Sequence, residues 1–142
     1  MHLVESGEFA VRRPAGEVMA VIKNPELAAR LIPGLSKVSQ TGGEYTGEMT
    51  VRLGHLSGRM NVRFRQEVME DGVAIVGRAT GLQTVANFHI SISLQPRGDS
   101  TLVRWTFEGD ATGLVATLAP SLVRDALRKT AREVAKNLAE SL

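Results

Sequence analysis

The chain has 142 residues, which is enough for one domain with a single buried core. Its formal net charge is only +2, so the overall charge points to neither a nucleic-acid nor a membrane partner. Cysteine is absent, which excludes disulfides, thiolate nucleophiles and cysteine-ligated metal centres.

The predicted elements begin with one strand and two short helices. Residues 3–11 alternate well enough for a strand, and residues 16–22 form the first helix. In the second helix Asn24 is the cap, Pro25 takes the first helical position, and the Pro33-Gly34 pair ends it.

Six further strands are predicted, each an alternating segment bounded by turn residues. They cover residues 37–41, 45–53, 58–69, 73–80, 85–95 and 101–110. Short connections require antiparallel neighbours, so we expect a meander that the first strand joins to make a sheet of seven.

After Gly113 the apolar period becomes helical. The predicted stripe consists of Leu118, Leu122, Ala126 or Leu127, Ala131, Val134 and Leu138. Because Pro120 breaks the hydrogen-bond ladder, the helix either begins near Ala119 or is kinked there. We expect it to run for about twenty residues, or ~30 Å, along the apolar face of the sheet.

The widths of these elements predict a curved sheet with space inside it. Seven strands make a sheet roughly 30 Å wide, whereas one helix covers only about 10 to 12 Å. The sheet should therefore curl around the helix and enclose more volume than the helix fills. The chain has only six aromatic residues to fill the remainder, so we favour an internal cavity. The alternative is that Met, Leu and Ile pack this space to normal density.

The alternation and the helical stripe predict which residues face the cavity. The predicted ligand-binding residues are Val51, Leu53, Met60, Val62, Phe64, Ile90, Ile92, Trp105, Phe107, Leu114, Leu118 and Leu122. Loops with Gly or Pro beside apolar residues predict the mouth: Ile32, Pro33, Gly34, Leu35, His55 and Leu56. The alternative for the apolar members is that they only fix helix ends to the core.

The order of the predicted elements, together with several residues at characteristic positions in them, resembles the pattern of a known protein family. These residues are Phe9, Pro14-Ala15, Glu17-Val18, Asn24-Pro25, Leu31-Ile32-Pro33-Gly34, Tyr45, Gly47, Val51, Gly54, Gly58, Gly81 and Gly113-Leu114. The chain resembles the carbon monoxide dehydrogenase CoxG family within the SRPBCC superfamily of START and birch-pollen-allergen proteins. The resemblance implies an α+β helix-grip fold, in which a seven-stranded curved antiparallel sheet wraps around a long C-terminal helix and two short helices follow strand 1. It also implies assistance to carbon monoxide dehydrogenase or a related molybdenum hydroxylase, through membrane recruitment, cofactor maturation or handling of a quinone.

The residues do not predict a catalytic or metal site. The three histidines, His2, His55 and His89, lie on separate elements without metal-ligand spacing. No nucleophile elbow, P-loop or His-Glu-x-x-His motif occurs, and the carboxylates appear singly. His55 is the best of the candidates because its glycine-flanked loop could sit at the cavity mouth. We therefore predict no catalytic residue, no metal and no cofactor.

Arginines on one strand form the main charged feature. Arg59, Arg63 and Arg65 fall on the same side, and Arg52 precedes them. They indicate either a basic stripe for an acidic partner or a solvated face balanced by glutamates, and we favour the second. The stripe has no interleaved aromatic residues for base stacking, so we expect no nucleic-acid partner.

Two functions fit these predictions. The first is non-catalytic binding of an apolar, quinone- or lipid-like molecule by a CoxG-like accessory protein. The alternative is an enzyme of the polyketide cyclase or dehydratase kind that uses the same cavity. We expect a cytoplasmic protein without a signal peptide or a transmembrane segment, although the terminal helix would allow peripheral membrane contact. Thirteen of the seventeen basic residues are Arg, which fits a thermophilic protein or GC-rich codon usage.

Overall fold

The computed structural model of the chain describes all residues, Met1–Leu142. The strands are β1 (His2–Val11), β2 (Leu35–Thr41), β3 (Glu44–Leu53), β4 (Leu56–Met69), β5 (Gly72–Gly81), β6 (Thr84–Arg97) and β7 (Ser100–Gly113). The helices are α1 (Ala15–Ile22), α2 (Glu26–Leu31), α3 (Leu114–Leu118) and α4 (Pro120–Ser141).

All seven strands form one antiparallel sheet in the order β1-β7-β6-β5-β4-β3-β2. Strands β2 to β7 are the predicted meander, and β1 joins it by pairing with β7. The predicted helix-grip fold is thereby confirmed. The β3–β4 turn, the β5–β6 turn and the end of β7 lie at the same end of the sheet, which we call the α3 end because α3 starts there.

Alternating side chains of the central strands face the helix α4. The register pairs Ile90 with Phe107 and Ile92 with Trp105 across β6 and β7. Phe64, Ile90, Ile92 and Phe107 are all buried in one core cluster, and Trp105 packs against it. The alternation therefore predicted the inner face of these strands correctly.

Three side-chain hydrogen bonds hold the two short helices: one caps the start of α2, and the other two join α1 and α2 to other elements. The Asn24 side-chain oxygen accepts from the backbone N–H of Glu26 at 3.0 Å, which agrees with its predicted capping role. The amide of Gln66 in β4 donates to the carbonyl oxygen of Ile22 at 2.8 Å. Asn137 in α4 donates to the carbonyl oxygen of Leu31 at 3.1 Å, so α4 holds the C-terminal end of α2.

The C-terminal helical segment is broken near Pro120. Ala119 has φ −135° and ψ 60°, which separates the short helix α3 from α4. Helix α4 lies against β1, where Arg128 and Glu5 form an ion pair at 3.3 Å. None of the four helices is both long enough and apolar enough to cross a bilayer.

Candidate functional site

A cavity of about 90 Å³ lies between α4 and the inner face of the sheet. Its wall is formed by Ile32, Met49, Val51, Leu53, Met60, Ala79, Leu82, Thr84, Ala86, Phe88, Ile90, Phe107, Ala111, Val123, Ala126, Leu127, Thr130 and Val134. Sixteen of these eighteen residues are hydrophobic, so the cavity can receive apolar groups at little desolvation cost.

Small side chains on the sheet leave room for the cavity. Ala79 of β5 pairs with Ala86 of β6, and Ala86 pairs in turn with Ala111 of β7. The three alanines form a row across the inner face, and all three line the cavity. Larger residues in this row would fill the space beneath α4, so the alanine row makes the cavity possible.

The two polar wall residues use their hydroxyl groups locally. Thr84 donates to the carbonyl oxygen of Leu82 at 3.1 Å, and Thr130 donates to that of Ala126 at 2.8 Å. No wall residue carries an ionisable side chain. The wall therefore presents mainly methyl and methylene groups to anything inside it.

The structure places the predicted sheet residues in two groups. Five of the nine line the cavity: Val51, Leu53, Met60, Ile90 and Phe107. The other four share the inner face but lie outside the cavity wall: Val62, Phe64, Ile92 and Trp105. Phe64 stacks on Tyr45 with ring centroids 5.3 Å apart, which fills the space on its side of the sheet.

The three predicted helix leucines lie at the surface instead of on the cavity wall. Leu114, Leu118 and Leu122 are 51%, 74% and 41% exposed. The predicted stripe ran across Pro120, but the non-helical backbone at Ala119 places Leu114 and Leu118 in a separate helix, α3, whereas Leu122 belongs to α4. Within α4, Val123 takes the inward position that was predicted for Leu122.

The predicted mouth residues are dispersed around the molecule. Ile32 lines the cavity, and Leu35 packs its side chain on Gly47. Pro33 and Gly34 border a separate shallow groove beside α4. His55 and Leu56 are exposed in and beside the β3–β4 turn, at the α3 end.

Four exposed leucines lie at the α3 end, in or beside the segments that connect the strands and helices there. We call Leu56, Leu114, Leu118 and Leu122 the leucine rim. The methyl groups of Leu122 lie within 3.4 Å of the position that a Cβ on Gly54 would take, so α4 and the β3–β4 turn meet there. The backbone N–H of Leu114 donates to the carbonyl oxygen of Gln83 at 2.9 Å.

The β5–β6 turn beside the rim has an uncommon backbone. Leu82 and Gln83 both have φ of 52°, in the left-handed region that non-glycine residues seldom adopt. Two-residue hairpin turns of this kind usually contain Asn and Gly. The Leu82 side chain lines the cavity and packs over Gly58. The turn therefore holds Leu82 at the cavity in a strained conformation.

Sequence reasoning missed most of the wall. The missed residues are Met49, Ala79, Leu82, Thr84, Ala86, Phe88, Ala111, Val123, Ala126, Leu127, Thr130 and Val134. Val134 and the pair Ala126 or Leu127 already belonged to the predicted helical stripe, which was the available signal. The alanine row gives no signal until the register of three strands is known.

The charged residues do not form a metal site. No three His, Asp or Glu side chains lie close enough together to hold a metal ion. The arginines of β4 lie on the outer face and are paired: Arg59 with Glu48, Arg63 with Glu44 and Arg65 with Glu67. The favoured interpretation of these arginines as a face balanced by glutamates agrees with these pairs.

Comparisons with solved structures return the same fold. A conserved protein from Geobacillus kaustophilus is 16% identical, with a TM-score of 0.69 over 98% of this chain and 97% of the other. The Zhui aromatase/cyclase from a Streptomyces species is 13% identical, with a TM-score of 0.65 over 99% and 94%. Truncated norcoclaurine synthase from Thalictrum flavum is 21% identical, with a TM-score of 0.57 over 96% and 92%. At these identities the comparisons establish the fold alone.

The family follows from the sequence itself. No curated protein matches the chain. Residues 7–142, which include every residue of the cavity wall, match the family model of the CoxG subunit of carbon monoxide dehydrogenase. The chain therefore belongs to the CoxG family.

Proposed function

We propose that the protein binds an apolar small molecule of quinone or lipid type in the cavity beneath α4 and does not transform it. The cavity wall is the observation that carries this proposal, since sixteen of its eighteen residues are hydrophobic and both hydroxyls donate to the chain's own carbonyls. Burying apolar surface there is worth about 25 cal/mol per Å². A charged group buried at the same wall would lose its hydration and find no charged partner there.

The volume of the cavity implies that the wall moves when such a ligand enters. At about 90 Å³ it is well below the roughly 300 to 1,000 Å³ of common ligand pockets. Met49 and Met60 have flexible side chains that can rearrange around a ligand. The break at Ala119 and the strained turn at Leu82 lie at the α3 end, so we propose that the cavity enlarges there.

Native mass spectrometry of the purified protein tests this proposal. We expect a bound species whose extra mass disappears after denaturation and is recovered in an organic extract. If the protein purifies empty, menadione and a long-chain fatty acid are the probes to add. Saturable binding of either probe supports the proposal, and binding of neither contradicts it.

Membership of the CoxG family supports a further part of the proposal, namely that the ligand is handled beside an enzyme. We propose that the protein serves a carbon monoxide dehydrogenase or a related molybdenum hydroxylase. A tagged chain expressed in its own host should co-purify with subunits that carry a molybdenum cofactor. Recovery of the tagged protein without any such subunit, under mild lysis and crosslinking, would count against this partner.

The leucine rim supports peripheral contact between the α3 end and a lipid surface. Its four leucines are between 41% and 74% exposed, and exposed apolar surface at one end of a protein is a feature of membrane or partner contact sites. Apolar ligands partition into bilayers, so a mouth that touches the bilayer would let them enter without crossing water. Contact of this kind would be shallow, because α3 has only five residues.

Replacing rim leucines should slow ligand uptake without unfolding the protein. For Leu114→Ser with Leu118→Ser, we expect uptake of menadione from vesicles to slow by about fivefold or more, because the contact of two apolar side chains with the bilayer is lost. The melting temperature should change little, because both residues are mostly exposed. Val68→Ser is the matched control, since Val68 is 57% exposed at the opposite end of β4. Equal uptake by the rim variant and the control would exclude this route.

A further inference from the structure

The outer face of the sheet carries a groove that the proposed function does not use. It is open, has a volume of about 800 Å³ and runs across β2 to β6, on the face opposite the cavity. Four cationic side chains line it, together with two carboxylates: Lys37, Arg63, Arg65 and Arg78 with Glu44 and Glu48. The groove therefore has a positive balance on a chain that is nearly neutral overall.

Two of these arginines face each other directly. Arg63 of β4 and Arg78 of β5 are register partners, and Arg65 lies two residues further along β4. Like charges at directly opposed positions of neighbouring strands destabilise a sheet. Glu44, 3.3 Å from Arg63, compensates for part of this repulsion, but Arg78 has no carboxylate within 4 Å and only the neutral Asn87 as a side-chain partner, which leaves it able to bind an added anion.

Arg63 and Arg78 are each held by a neighbouring side chain through Nε, so the terminal nitrogens of their guanidinium groups can donate hydrogen bonds to a ligand. Arg63 Nε lies 3.3 Å from a carboxylate oxygen of Glu44, and Arg78 Nε donates to the side-chain oxygen of Asn87 at 3.0 Å. Both contacts are made through Nε. Because Nε is held by a neighbour, the two terminal amino groups of each arginine can donate in parallel to a carboxylate.

We propose that this groove binds the carboxylates of an extended acidic segment of a partner protein. The groove crosses five strands, a span of about 19 Å, which corresponds to roughly six extended residues. A single small anion would occupy only the position between Arg63 and Arg78. A segment of this length can also reach Arg65 and Lys37, whose ion pairs with Glu67 at 3.0 Å and with Glu48 at 3.4 Å are solvent-exposed and therefore weak enough to exchange for a partner's carboxylates.

A nucleic-acid backbone fits the groove less well. No Phe, Tyr or Trp faces outward on β3 to β6 to stack with bases. The inference is independent of ligand binding in the cavity, because the two sites lie on opposite faces of the sheet.

Fluorescence anisotropy with a labelled hexaglutamate peptide at low salt tests the proposal. We expect saturable binding that weakens about tenfold in Arg63→Gln with Arg78→Gln, as two charge-assisted contacts are lost. The control is Arg30→Gln with Arg97→Gln, which removes the same charge from exposed arginines outside the groove. This control should bind within about twofold of the wild type.

Three results would overturn the proposal. The first is equal weakening in the groove variant and the control, which would assign the effect to net charge. The second is tighter binding of a single-stranded RNA of equal charge than of the peptide. The third is displacement of the peptide by phosphate but not by sodium chloride at equal ionic strength, which would indicate a small-anion site.

Measuring the melting temperature of an Arg78 variant distinguishes a role of Arg78 in binding from a role in stabilising the fold. Arg78→Thr removes the like-charge contact and introduces a residue that suits an exposed strand. If Arg78 serves binding, the melting temperature of this variant should stay unchanged or rise. A clear fall would show that Arg78 supports the fold and would contradict the proposal.

Discussion

Replacing Phe107 by Ala should lower the free energy of unfolding by about 3 to 5 kcal/mol, because a fully buried aromatic ring is lost. Phe107 is only 2% exposed and lines the cavity. The removed ring would therefore join its volume to the existing space of about 90 Å³. Urea denaturation monitored by circular dichroism measures this loss.

The enlarged cavity should also bind small apolar compounds and regain stability from them. Benzene occupies engineered apolar cavities of about 150 Å³, and we expect it to raise the melting temperature of Phe107→Ala. Phe64→Ala is the matched control, since Phe64 is equally buried but lies outside the cavity wall. It should lose similar stability and gain less from benzene. An equal gain in both variants would contradict the placement of the cavity beside Phe107.

Gly72→Ala should be among the most destabilising single substitutions in the sheet. A Cβ on Gly72 would collide with the backbone carbonyl oxygen of Ile92 on the neighbouring strand. The collision involves backbone on both strands, so neither can yield without disrupting the β5–β6 ladder. We expect a loss of about 3 kcal/mol or more, at the upper end of the range for overpacking.

Gly43→Ala is the control for this substitution. Gly43 lies in the β2–β3 turn, and a Cβ there would meet no atom within 4 Å. Its melting temperature should stay within a few degrees of the wild type. If Gly72→Ala has the same melting temperature as Gly43→Ala, the register between β5 and β6 that the structure describes would be wrong.

The fold could be predicted from the sequence because its signals are local. Alternation in the strands, the cap at Asn24 and the turn glycines each depend on a few neighbouring residues. These signals located all seven strands to within about three residues at each end. The antiparallel order then followed from the short connections.

The cavity wall was less predictable because it depends on positions along the strands. A period of two identifies the face of a strand but not how far along it a residue lies. Phe64 and Phe107 therefore looked equivalent in the sequence, although only Phe107 reaches the cavity. Thr130 looked polar, yet its hydroxyl is bonded within α4, which leaves the residue free to line an apolar wall.

The C-terminal leucines were misplaced for a different reason. Pro120 indicated a break, but the sequence does not determine the angle or the phase of the helix before it. Only the backbone at Ala119 shows that Leu114 and Leu118 form an exposed surface. Because they are exposed, we propose that they contact a lipid surface at the entrance of the cavity instead of binding a ligand inside it.

Calorimetric titration of menadione into two variants with an alanine replaced tests whether the cavity beneath α4 is the binding site. Ala86 lies at the centre of the alanine row, so Ala86→Leu should fill the cavity and abolish measurable binding. Ala10 is exposed on β1, and Ala10→Leu should bind as the wild type does. Circular dichroism must show that both variants are folded. Wild-type affinity in a folded Ala86→Leu protein would contradict ligand binding in the cavity beneath α4.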